Sequence, residues 1–253
     1  LRAFGRFIGR KISALLPVRV AVVLGGLVAA VLTFALVDNV VLARLVNTVD
    51  ATFYTINQEF TTDLPAPESV HLSAGPNSNV SWAKLGRQGR LFIAQAPTAK
   101  EIGEFSNTPA KQPVRAYVGV GTDGDIDLRE EAKMAVAELE RTGGFERAVI
   151  NIATGTGRGW VNENSAQALE YMWNGDTATV SMQYSYLPSW ASFLADGDRS
   201  QEAGRLLFDA VYHHWLQLPA KKRPLLVVSG ESLGSFGGEA AFSGAQDLAE
   251  RTS

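Results

Sequence analysis

The chain has 253 residues, of which 46% are hydrophobic and 19% charged, and a net charge of −3. That composition excludes intrinsic disorder and argues against a nucleic-acid-binding surface. It contains no cysteine and only three histidines, which removes disulfides, thiol nucleophiles and Cys-ligated metals and makes a multi-histidine metal site hard to assemble. No cofactor is expected.

The charge is unevenly spread. Residues 1–19 carry Arg2, Arg6, Arg10, Lys11 and Arg19 and no acid, so the remainder is net acidic. Val20 to Val37 is free of charge and rich in Val, Leu and Ala, near the length that crosses a bilayer. A signal peptide would have a shorter core and a small-residue cleavage site, and Asp38-Asn39-Val40-Val41 is a poor one. A soluble helix would show a polar face. The reading is a basic cytoplasmic segment (1–19), a transmembrane helix (20–43) in contact with membrane lipids, and an extracytoplasmic remainder, oriented by the positive charge at the N-terminal side.

Residues 44–64 read as a juxtamembrane helix. Residues 65–81, rich in Pro, Ser, Asn and Gly, read as a linker or extended arm. They include the glycosylation sequon Asn79-Val80-Ser81. From Val114 onward apolar runs alternate with helical periodicity. Strands are expected at Val114–Val120, Arg147–Ala153, Thr177–Gln183 and Arg223–Ser229, and helices at Leu128–Arg141, Ser165–Trp173 and Ser200–Gln217. Asp127 and Glu130 form a start signal for the first of these helices. The alternation predicts an α/β fold with a doubly wound, mostly parallel sheet over 82–253.

Gly230-Glu231-Ser232-Leu233-Gly234 fits G-x-S-x-G, directly after an apolar strand and before a run of small residues. A nucleophile elbow needs this context. The serine sits at a tight strand-to-helix turn, and Gly230 and Gly234 permit close backbone approach. Ser232 is the candidate nucleophile and the Leu233 amide one candidate oxyanion donor. The alternative is a Gly-rich turn with a capping serine. Ala153-Thr154-Gly155-Thr156-Gly157-Arg158-Gly159-Trp160 follows the second strand, where a hydrolase takes its second oxyanion donor, so the amides of Gly155, Thr156 and Gly157 are candidates. Phosphate binding and simple turn chemistry are the alternatives there.

Gly119–Gly124 matches G-x-G-x-x-G, but the next strand ends without the acid a dinucleotide site requires. Asp123, Asp125 and Asp127 start like a calcium loop whose Gly and closing Glu positions hold Leu128 and Met134. His214 falls on the apolar stripe of its helix and reads as a packed core histidine, with His213 at the margin of the stripe. Tyr184, Tyr186 and Trp190 could wall an apolar substrate cleft or pack under a loop.

The motifs S-W-A-K-L-G-R-Q-G-R-L-F, V-R-A-Y-V-G-V, T-G-T-G-R-G-W-V, G-D-T-A-T-V-S-M-Q-Y-S-Y-L-P-S-W and R-P-L-L-V-V-S-G-E-S-L-G-S-F-G, in this order, resemble the membrane-anchored actinobacterial α/β-hydrolases. The resemblance covers about residues 80–245. It implies several N-terminal membrane helices, an extracytoplasmic catalytic domain and esterase- or lipase-like activity, with Ser232 at the nucleophile position. It also implies a triad in the order Ser, acid, His. No histidine follows Ser232, and Asp247 and Glu250 come too early for the acid. The acid, the base and the last strands of an apparently truncated domain are therefore expected beyond Ser253. The expected activity is that of a serine hydrolase acting on an ester, with an envelope lipid as a candidate substrate. A membrane-tethered, non-catalytic binding or assembly module on the same scaffold is the rival.

Overall fold

The computed structural model describes residues 54–57, 64–120, 127–188, 192–193 and 197–252. The expected cytoplasmic and membrane segments (1–19 and 20–43), most of the 44–63 stretch, Gly121, Gly124, Asp123, Asp125 and Trp190 lie outside these residues. Among the described residues no helix is long and apolar enough to cross a membrane.

Residues 54–57 form a helical turn. A 3₁₀ turn at Trp82–Leu85 leads into α1 (Gly86–Ala94) and α2 (Ala99–Ser106). The alternating part then runs β1 (Val114–Val118), α3 (Leu128–Arg141), β2 (Val149–Thr154), α4 (Glu163–Met172), β3 (Thr177–Met182), α5 (Arg199–Gln217), β4 (Leu225–Gly230), α6 (Leu233–Glu239) and α7 (Ala245–Thr252). The strands form one parallel sheet in the order β1-β3-β2-β4. Every residue of β1, β2 and β3 is buried, as expected of strands covered on both faces.

The strand order explains the layers. The chain moves two places across the sheet to β2, one place back to β3 and two forward to β4. Right-handed crossovers then put α3 and α5 on one face and α4 on the other. The packing agrees: α3 lies on α5, β1 and β3, while α4 lies against α2 and β3. The helix stripes have the matching period. In α3 the buried side is Leu128, Glu131, Ala132, Ala135, Glu138 and Leu139. Asp127 caps α3 by accepting from the Arg129 and Glu130 amides at 3.0 and 3.3 Å. The Glu130 carboxylate accepts from Lys133. α4 starts at Glu163, two residues before the expected start, and Asn162 caps it by accepting from the amides of Asn164 and Ser165.

The stretch 65–81, read from sequence as a linker or extended arm, lies along the domain. It forms no regular element, yet it is docked on the outer edge of β1. Ser73 N–H donates to the Arg115 carbonyl (2.9 Å) and Arg115 N–H to the His71 carbonyl (3.2 Å). Glu138 fixes it from α3. Its carboxylate accepts from Ser73 Oγ (3.0 Å), Ser78 Oγ (2.8 Å) and the Asn79 amide (2.8 Å). Burial alone would raise the Glu138 pKa, but hydrogen bonds from Arg141, Asn79 and Ser78 hold it below the ordinary value. Small polar residues that look like linker composition here serve as hydrogen-bonding partners. In the sequon Asn79 is exposed and Val80 buried.

Candidate active site

β4 delivers the chain to a bend at Glu231-Ser232, after which α6 begins at Leu233. Ser232 has φ 52° and ψ −121°, a conformation L side chains rarely adopt, at a cost of about 1–3 kcal/mol. The residue is exposed. The turn is braced on both sides. Gly234 N–H donates to the Glu231 carbonyl at 2.8 Å and Ser235 N–H to the Ser232 carbonyl at 3.0 Å. Ser235 Oγ donates to the Gly230 carbonyl at 2.7 Å. The two motif glycines are required by contact. A Cβ on Gly230 would stand 2.5 Å from the Gly234 carbonyl oxygen, and one on Gly234 would strike the carbonyl oxygens of Thr154 and Gly155. α6 packs on α5 at a similarly close crossing of Gly237 over Gly204.

The contact at Gly234 brings the loop after β2 against the elbow. That loop is closed on itself: Thr156 N–H donates to the Trp160 carbonyl at 2.9 Å and Gly159 N–H to the Thr156 carbonyl at 2.7 Å. The Thr156 amide, one of the loop's three expected oxyanion donors, is thus already engaged. Two buried side chains pin the loop from the neighbouring strands. Tyr117 OH donates to the Gly159 carbonyl at 2.7 Å. Gln183 Nε2 donates to the Arg158 carbonyl at 3.1 Å and to Asn57 Oδ1 at 2.9 Å. The Leu233 amide is among those that helix geometry leaves without an intrahelical acceptor.

Ser232 opens into a cleft of about 490 Å³ lined also by Gln88, Thr156, Arg158, Trp160 and Pro188. Glu231 turns away from it and accepts from Asn162 Nδ2 and, at 3.5 Å, from Ser165 Oγ. Tyr184 is not at the cleft surface. Its ring is fully buried, and burial raises its phenol pKa. Tyr186 is half-buried and meets Tyr54 edge-on at 5.5 Å. The sequence reading passed over Gln88, Arg158, Trp160 and Pro188 as lining. Arg158 and Trp160 sit inside a motif whose sequence signal lies in its glycine amides. Asn57 and Gln183 carry no local signal, being 126 residues apart.

The histidines lie elsewhere. The elbow follows the C-terminal end of β4. His71 flanks the start of β1, with Nδ1 3.0 Å from the Thr142 carbonyl oxygen. His214, half-buried rather than in the core, stacks at 4.1 Å on Phe145, which precedes β2. Neighbouring His213 is exposed, with Nδ1 2.6 Å from the Asp209 carbonyl oxygen. In a parallel sheet all three therefore stand toward the end opposite Ser232. Gly119, in the rejected dinucleotide motif, has a packing reason: a Cβ there would run into the Lys84–Leu85 backbone. Among the described residues no cluster of three His, Asp or Glu could hold a metal ion.

A model of an α/β-hydrolase family matches residues 114–253, and a model of the N-terminal region of such a family matches residues 1–97. The chain belongs to the α/β-hydrolase family. The first match takes in the whole sheet, the loop after β2 and the elbow of this α/β-hydrolase. No curated protein and no solved structure matches it.

Proposed function

We propose that this α/β-hydrolase is a serine ester hydrolase with Ser232 as nucleophile. The observation that carries the reading is the Ser232 backbone: an exposed, non-glycine residue held at positive φ at the lining of a cleft. Strain of this kind persists where the surroundings enforce it, and here two glycine contacts do so. In the proposed reaction Ser232 Oγ attacks the ester carbonyl and its proton passes to a general base. The alcohol leaves with a proton, and water then releases the acid from the acyl-serine. The Leu233 amide stabilises the tetrahedral oxyanion. With the Thr156 amide bonded within its own loop, the second donor in this reading is Gly155 or Gly157. The three histidines stand at the far end of the sheet, so none of them is assigned as the base.

A fluorophosphonate probe tests this on the full-length protein. Labelling should fall on the peptide containing Ser232. Ser232→Ala should abolish it and lower ester turnover by about 10⁴-fold or more. A folded full-length protein that takes no label would instead support the non-catalytic binding module. We further propose that residues 20–43 anchor the enzyme, that residues 1–19 are cytoplasmic, and that the catalytic part works outside the cytoplasm on an envelope ester. The uncharged stretch and the basic residues before it support this.

A further inference from the structure

Arg158 stands out among the cleft residues. It is exposed beside Ser232, and among the described residues its guanidinium has no carboxylate partner. Three arginines of the domain are in ion pairs, Arg115 with Glu170, Arg141 with Glu138 and Arg251 with Asp209, whereas Arg158 faces the cleft that Ser232 lines. The backbone beneath Arg158 is held unusually well for a surface loop. Its carbonyl accepts from Gln183, itself buried and bonded to the buried Asn57. The next carbonyl, on Gly159, accepts from the buried Tyr117 hydroxyl. A five-residue turn closes around it between Thr156 and Trp160. The main chain is fixed, and among the described residues the side chain has no carboxylate partner. Such an arrangement holds a cation ready beside a reacting group without the ordering cost a loose loop would incur. The rest of the lining is mixed, with Gln88 and Thr156 offering polar side chains beside Trp160 and Pro188 in the same cleft.

We propose that Arg158 selects esters that carry an anionic group, carboxylate or phosphate, beside the scissile bond. This rests on Ser232 being the nucleophile. The guanidinium would receive the anion in a charge-assisted, two-point hydrogen bond that a neutral ester of the same length lacks.

Two matched pairs of substrates test it on the full-length protein. 4-Nitrophenyl hemisuccinate against 4-nitrophenyl butyrate isolates a carboxylate. Short-chain phosphatidylglycerol against short-chain diacylglycerol isolates a phosphate. The readout is the ratio of kcat/KM, anionic over neutral, within one enzyme. In at least one pair the ratio should exceed about ten and fall about tenfold in Arg158→Ala, mainly through KM. Arg158→Lys should restore part of it, Arg158→Glu should push it below the alanine value, and added salt should lower it in the wild type. The pair that responds identifies the anion. Ratios unmoved by Arg158→Ala in both pairs, with Ser232 labelled and the neutral esters turned over, would overturn the selection and leave the hydrolase standing. Absence of both labelling and turnover would remove the nucleophile and this inference with it.

Discussion

Glu131 is buried in α3 at 7% exposure, with one carboxylate oxygen meeting no hydrogen-bond partner among the described residues. Burial is the main cause that pushes its pKa up to about 8 from 4.5; the Asp127 charge adds to the rise and Arg199 opposes it. Because the folded-state pKa is raised, the folded protein binds the proton more tightly than the unfolded chain. The associated stability is fully present below about pH 4.5, declines as pH rises toward 8 and then levels off. Glu131→Gln stays neutral throughout and should lack this decline. Melting temperatures at pH 5 and pH 9 check it: the variant should gain on the wild type at the higher pH, and a constant gap would contradict the assignment. The same residue shows what sequence leaves out. Its place on the apolar stripe of α3 is visible from spacing, but whether its carboxylate meets a hydrogen-bond partner depends on elements remote in the chain.

At the scale of elements, the period-two and period-3.6 patterns located the four strands and the longer helices to within about two residues, because those patterns are imposed by burial itself. They did not reveal α1 or α2. α2 starts with a capping box in which Thr98 accepts from the Glu101 amide and Glu101 accepts from the Thr98 amide, a local signal that was there to be read. α1, with two glycines and two arginines, offers none, and its identity depends on packing against β1. What joins α1, α4 and β1 is a buried ion pair. Arg115 on β1 donates to both carboxylate oxygens of Glu170 on α4, at 2.8 and 2.9 Å, and to the Phe92 carbonyl of α1, with its guanidinium over the Phe92 ring. Arg115 is fully buried, so removing its partner strands a charge. Glu170→Ala should cost about 3–5 kcal/mol in urea unfolding, and an Arg115→Met, Glu170→Leu double variant should recover much of it. Equal losses in the single and double variants would mean that packing volume, not the charge, sets the cost.

At the scale of the whole molecule, the sequence conveyed the layered architecture and the bend at Ser232. It missed how the N-terminal stretches are built onto the domain. Sequence leaves 65–81 between a linker and an extended arm because its partners, Glu138 and Arg141, lie far along the chain. The turn at 54–57 reaches the loop of the cleft through Asn57 and Gln183. The proposed anchor just upstream predicts that the full-length protein stays with membranes after an alkaline carbonate wash, and that deleting 20–43 releases it. Release of the undeleted protein by the wash would rule out a spanning helix.

Gly234 touches the carbonyl oxygens of residues 154 and 155 with nothing but main chain between the two segments. Where a pair of side chains meets, one can shrink as the other grows, and a protein can drift through compensated steps. Here there is no side chain to trade. Remodelling of the neighbouring loop, by natural variation or by an engineer seeking a roomier acyl pocket, must leave this one crossing intact or displace the serine along with it.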